Sequence, residues 1–405
     1  TAQDLFLGSR PTCLASPCHR AHLCGVSSRA LYAQLHVHVR LRQSCRTKSW
    51  RRWDALPKNR QALWQQCVAS GLHTILIPES QGGLGLGMTE LMVVLEQQGR
   101  ALANVPLWET QVGATALAKF ADASLTPVIE QVLSGDVLLS LSLEAMTQSR
   151  GSSLQLARSG DNWKLSGMAP AVPLASAARY ALLAAEAFDG MHLVLIDLQE
   201  KGIQMAAGRS QHHQAVADLS FDALALKAER VLPLTATPWT EQHAIACLAS
   251  LQLGVTDQQL KRTVEYVSER QQFGRVIGSF QLVAGQMADG YIAAEALRSS
   301  LWQLVYRLDA GLGSAPQAWA TRALANDTGH RAGHMAQHVH GGIGVDLTYP
   351  IHRFLFWTRA NAAALGGTEH QLAKLGDWLA NNDHLGWKYD AAEDKPFEGG
   401  QHAAV

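Results

Sequence analysis

The sequence has no charge excess of either sign: 34 Lys and Arg residues balance 34 Asp and Glu. Such a chain has no overall attraction for nucleic acid or anionic lipid, so any polyanion must be met by a local site. Long apolar runs are missing too. ALLAAEAF (181–188) and HLVLIDL (192–198) are among the longest, and a helix that crosses a bilayer needs ~20 such residues. Cysteine is scarce beyond the first stretch: Cys13, Cys18, Cys24, Cys45 and Cys67 come early, and only Cys247 follows. That distribution excludes a disulfide framework for so large a chain and implies a reducing compartment, the cytoplasm, with the mitochondrial matrix as alternative.

What is there is the composition of a neutral globular enzyme, 47% hydrophobic and 17% charged. With 405 residues, the chain exceeds what one ordinary core supports and divides into two or three lobes. Residues 1–52 stand apart. They set nine Arg and Lys residues against a single acid, Asp4, with no sustained apolar period. Cys13, Cys18, His19, His22 and Cys24 are zinc-ligand types, but their spacing lacks the two separated pairs of a regular finger. An Arg-rich, acid-poor leader is a second reading. A poorly ordered basic extension is the one favoured.

From Trp53 the texture changes. RQALWQQCVASGL (60–72) and TELMVVLEQQGRALAN (89–104) repeat apolar residues at three-and-four spacing around a glycine-rich loop, IPESQGGLGLGM. A helical lobe over 53–129 follows. SLQLARSGDNWKLSG, ARYALLAAEA, MHLVLIDL and AVADLSFDALALKAERVL are short, β-compatible and separated by turn signals, which predicts a β lobe over 130–236. Long amphipathic helices return over 237–380, and 381–405 is a tail of low periodicity.

Two stretches carry chemistry. In SERQQFGRVIGSFQLVAGQMADGY (268–291), Arg270 ends a long helix, Phe273-Gly274 forces a turn and Gln281 opens the next helix. A guanidinium suits pyrophosphate because its planar donors bind two oxygens at once; a surface Arg beside a helix connection is the plainer alternative. In AQHVHGGIGVDLTYPIHRFLFW (336–357), Gln337 precedes Gly341-Gly342, where backbone can approach a ligand closely. His338 and His340, two apart, fall on different helix faces, so no metal site is expected.

Together with the helix, sheet, helix order, these stretches resemble the acyl-CoA dehydrogenase family. The residues are Glu269-Arg270, Phe273-Gly274, Ile277, Phe280-Gln281 and Met287-Ala288-Asp289, then Gln337, Gly341-Gly342, Gly344 and Tyr349-Pro350. GLHTILIPESQGGLG and EQQGRALANVP extend the likeness to the first lobe, so that it covers about 53–380. YPIHRFLF and the phrase around Val172-Pro173 look most like bacterial members acting on bulky acyl groups such as steroid side chains.

The resemblance implies an α+β fold: an N-terminal α-helical domain, a middle β-barrel-like domain and a C-terminal four-helix-bundle domain. It implies FAD bound between subunits of a homo- or hetero-tetramer, an acyl-CoA substrate, and reoxidation by an electron-transfer flavoprotein. Arg270 and Phe273, with Gln281 nearby, would meet the adenosine diphosphate portion. Gln337, Gly341 and Gly342 would reach it from a neighbouring subunit, and Thr368 and His370 would hold the flavin end.

The departures are as informative. The family's usual base, the acid of a Tyr-Glu-Gly-Thr loop, aligns on Gly366 within LGGTEHQ (365–371), and the alternative base position counts to Ala244. Neither residue accepts a proton. Glu241, one helical turn before Ala244, is the candidate substitute; an acid near a helix start favoured by the dipole is its plainer reading. Glu369 is expected to face away or cap the next helix. In SLSLEAMTQSRGSSL (140–154) the family's Thr-Glu-Pro phrase is largely gone. The function expected is that of a base-lacking subunit of a hetero-oligomeric acyl-CoA dehydrogenase. The alternatives are an active homomer using Glu241, or a flavin-free scaffold that binds acyl-CoA.

Overall fold

A computed structural model describes residues 56–147 and 152–382. The zinc, leader and extension readings of 1–52 lie outside these residues, as does the expected tail from 383 onward. Four helices come first: α1 (Leu56–Ala69), α2 (Met88–Ala101), α3 (Leu107–Phe120) and α4 (Thr126–Leu133). A seven-stranded sheet follows, built from β1 (Leu139–Ser142), β2 (Leu154–Ser159), β3 (Asn162–Pro173), β4 (Tyr180–Ala187), β5 (Gly190–Asp197), β6 (Ile203–Arg209) and β7 (Ala215–Leu226). The long helices α5 (Ala236–Glu269), α6 (Gln281–Asp309) and α7 (Ala315–His340) form the third layer, completed by α8 (Ile351–Ala363) and α9 (Gly367–Ala380).

Burial explains the strands. β4 and β5 read as nearly continuous apolar runs and are buried along most of their length, as strands covered on both faces must be. They pair antiparallel in register from Tyr180 opposite Asp197 to Ala187 opposite Gly190. β4 also pairs β1 in parallel, Leu139 opposite Tyr180. On the other side β2, β3, β7 and β6 pair antiparallel in that order, and the β3–β7 register shifts between Leu165 and Gly167 and again between Ala169 and Val172. Irregularities of this kind increase local twist. The sheet curls into a half-barrel.

The first and third layers meet through two glycines. A Cβ on Gly99 of α2 would lie 2.1 Å from the Leu251 carbonyl oxygen, and one on Gly254 of α5 would lie 2.0 Å from that of Glu96. No other residue lets these backbones approach so closely. Beside this crossing, Glu96 and Asp257 share Arg100 and Arg298, so α2, α5 and α6 are tied by one ionic network. One hydrophobic core runs through all three layers.

Candidate active site

The turn between α2 and α3 starts the site. The Gln98 side-chain amide donates to the carbonyls of Ala103 (3.0 Å) and Val105 (2.8 Å), which fixes the turn and sets the first residues of α3 on a cleft. That cleft runs between the first helices, the sheet and the third layer, with apolar walls that include Leu141, Pro173, Leu251 and Trp357. Two acids line it as well.

Glu109, on α3, is 2% exposed. Its Oε1 accepts from the Gln214 amide at 2.9 Å, while Oε2 is buried without a hydrogen-bond partner. Burial pushes its pKa up to about 7, against the opposing pull of its own backbone N–H and the Gln214 amide. Gln214 is held in turn by its backbone N–H donating to Ser210 Oγ at 3.1 Å. Ser210 also pairs with His212, whose ring meets Trp357 edge-on at 5.0 Å.

Glu144 follows β1 in a short helical turn and reaches the third layer, accepting the Leu365 N–H at 3.1 Å. Burial raises its pKa, partly offset by the Leu365 N–H and by Arg322. Arg322 is completely buried on α7. It donates to the carbonyls of Asn361 and Ala364 and so fixes the segment leading into Leu365. Desolvation lowers the Arg322 pKa to about 10, Glu144 acting the other way.

The LGGTEHQ segment is a tight connection between α8 and α9. Leu365, Gly366 and Gly367 have φ of 56°, 79° and 74°, a run of positive φ that the two glycines adopt freely and that Leu365 adopts at a cost in backbone strain. A Cβ on Gly366 would lie 2.8 Å from His370 Cγ and 2.9 Å from Thr147 Cβ. Position 366 is therefore closed to a side chain as well as lacking one. Ala244 is fully buried inside α5. Glu369 is exposed in the first turn of α9, and Thr368 and His370 are half-buried beside it.

Glu241 does not line the cleft. It is buried between α5 and α9 and pairs with Lys374 Nζ at 2.5 Å. Lys374 lies over the Trp319 ring, and the His370 pKa is lowered by burial and by Lys374.

The phosphate-suited residues gather elsewhere. Phe273 and Gly274, at φ 53° and 77°, form the two-residue turn of a hairpin between β8 (Gln271–Gln272) and β9 (Arg275–Val276), the geometry of a primed turn. Phe273 is 92% exposed, and Arg270 and Gln281 are exposed beside it. The end of α5 meets the end of α7 through Tyr266 stacked on His340 at 4.2 Å. Arg270 and Gly341 thus lie at the same end of the helical layer. Space around Gly341 and Gly342 is open, and Gln337 Oε1 is buried without a partner. The exposed guanidinium is one group that suits a dinucleotide, and the open glycines with the unpaired amide oxygen are another, whether they meet it in one subunit or across two.

Sequence reasoning missed Glu109, Glu144, Gln214 and Arg322. The signal available for the first two was an acid inside an otherwise apolar element: LWETQVGATAL for Glu109 and the end of LSLSLE for Glu144. Among the described residues no group of three or more His, Cys, Asp and Glu side chains could hold a metal, and no helix is long and apolar enough to cross a membrane.

Comparison with known proteins identifies the family. Residues 37–134 match the family described as "Acyl-CoA dehydrogenase, N-terminal domain", and residues 239–380 match "Acyl-CoA dehydrogenase, C-terminal domain". The acyl-CoA dehydrogenase FadE27 of Mycobacterium tuberculosis is 33% identical over 333 residues, covering 78% of this chain and 88% of that protein. A chain of the ChsE4-ChsE5 complex from Mycobacterium tuberculosis superposes with a TM-score of 0.81 at 30% identity, covering 87% of this chain and 98% of the other. The Tcur3481-Tcur3483 steroid ACAD gives a TM-score of 0.75 at 34% identity, with 90% and 98% covered.

Proposed function

The chain belongs to the acyl-CoA dehydrogenase family of FAD-dependent oxidoreductases, and from that premise we propose that it is the base-lacking subunit of a hetero-oligomeric acyl-CoA dehydrogenase. The reaction is α,β-dehydrogenation of an acyl-CoA thioester, with a bulky acyl group of the steroid side-chain type. The observation that carries this reading is Gly366: the loop that supplies the base elsewhere in the family is built here from left-handed backbone, with His370 and Thr147 filling the space a side chain would need. The second base position, Ala244, is sealed in the core.

FAD, when bound, supplies the acceptor for the hydride leaving the β carbon. Arg270, Phe273 and Gln281 hold its adenosine diphosphate portion, and Gln337, Gly341 and Gly342 reach it from a neighbouring subunit. Thr368 and His370 lie toward the flavin end. Removing an α proton requires a carboxylate held close, aimed and desolvated; in this assembly a homologous subunit provides it. An electron-transfer flavoprotein takes the electrons onward. Support for a mixed assembly comes from the ChsE4-ChsE5 structure, a complex of two differently named chains.

The test is to express the chain alone and together with a homologous chain that has a carboxylate at the position matching Gly366 or Ala244. The pair is expected to dehydrogenate acyl-CoA, and the single chain is not. A homomer of this chain turning over acyl-CoA at ordinary enzyme rates would overturn the proposal.

A further inference from the structure

An acyl chain does not account for Glu109. Methylene groups offer a carboxylate nothing, and a buried oxygen without a partner keeps the full cost of losing water. Oε1 is occupied by Gln214, so Oε2 is the atom left to meet a ligand, on a residue that lines the cleft. The surrounding wall is polar too, with Asn104 and His212 on the cleft and the Asn104 amide donating to the His212 carbonyl at 3.4 Å. Glu144, the other acid, is engaged with Leu365 and so stands by the loop where the family does its proton chemistry. Glu109 comes from α3 and is braced by the segment before β7, so the two acids enter the cleft from different elements with different partners.

Resting on the acyl-CoA reading above, we propose that Glu109, braced by Gln214, selects acyl groups carrying a hydroxyl remote from the thioester, with that hydroxyl donating to Glu109 Oε2. A hydroxyl suits the site better than other polar groups. With a pKa of about 7 the carboxyl is present in both protonation states near neutrality; a hydroxyl donates to one and accepts from the other, whereas a ketone serves only the protonated form.

The experiment is calorimetric titration of the purified protein, with its partner subunit where one co-purifies. The probes are ω-hydroxyacyl-CoA esters and plain acyl-CoA esters of matched length, from hexanoyl to dodecanoyl. At least one hydroxylated ester is expected to bind about tenfold tighter than its plain counterpart, the effect of one hydrogen bond to a charged acceptor. In Glu109→Leu that ratio collapses to near one. Should the leucine variant not fold, the near-isosteric Glu109→Gln decides, its ratio expected to drop to a few-fold. Plain esters that bind as well as every hydroxylated one overturn the inference and leave the acyl-CoA reading standing, as does a preference that keeps its full size in the variants. Failure of every ester to bind overturns the acyl-CoA reading itself and the inference with it.

Discussion

The cleft has two kinds of wall, and they divide acid and backbone between them in an unexpected way. On the α3 and β1 side, two carboxylates, Glu109 and Glu144, stand in or near an apolar interior with raised pKa values. On the α8–α9 side, where the family carries its catalytic acid, the chain has two glycines and a packed imidazole. A carboxylate's presence in a cleft is therefore not the same as a base in position. Geometry at the reacting carbon decides, and here the acids belong to walls that grip other things: Leu365 for Glu144, Gln214 for Glu109.

This contrast can be broken from either side. The largest effect is expected at Arg322, which braces the glycine wall from beneath. Arg322→Met removes a charged donor from the Asn361 and Ala364 carbonyls and should cost about 3–5 kcal/mol in urea unfolding, as loss of two hydrogen bonds to a buried charged group does. Next comes Gly366→Glu, which writes the family's acid back into the loop. Left-handed backbone and the clash with His370 and Thr147 should destabilise the protein by about 2–4 kcal/mol, without conferring acyl-CoA turnover on the chain alone.

The acid wall is probed by pH. The folded-state pKa of Glu109 is raised from 4.5 to about 7, so the unfolded chain releases this proton first as pH rises. Its contribution is fully present below pH ~4.5, falls away between there and pH ~7, and amounts to at most about 3 kcal/mol. Buried histidines such as His243, lowered to about 4, act in the opposite sense over an overlapping window. The difference between wild type and Glu109→Gln isolates the glutamate: the variant should gain relative stability steadily from pH ~4.5 to ~7 and then level off. Smallest is Lys374→Met. It leaves Glu241 without its partner at the α5–α9 contact and should cost about 1–2 kcal/mol, with no effect on turnover of the assembled enzyme.

Much of the fold was legible because its signals are local. MHLVLIDL and ARYALLAAEA, short β-compatible stretches bounded by turn signals, became β5 and β4; of the periodic stretch from Glu241 to Phe273, the part up to Glu269 lies in α5. Phe273-Gly274 was readable as a turn for the same reason, since two residues forced to positive φ punctuate the chain by themselves. The candidate site was half legible. The glycine pair at 366 and 367 was readable as a tight connection, but the acids that line the cleft come from positions 109 and 144 and find their partners at 214 and 365. Contacts over such separations leave no periodic trace. Glu241 shows the converse: its helical position was correctly read, while its pairing with Lys374 depended on how α9 docks.

The most direct test of the absent base is a single-turnover experiment on the chain purified without any partner and loaded with FAD. Adding excess decanoyl-CoA should leave the yellow colour of the flavin unchanged, and adding the homologous carboxylate-bearing subunit should then bleach it. Rapid bleaching by the lone chain, abolished in Glu109→Gln or Glu241→Gln, would show that this chain carries its own base and would contradict the account.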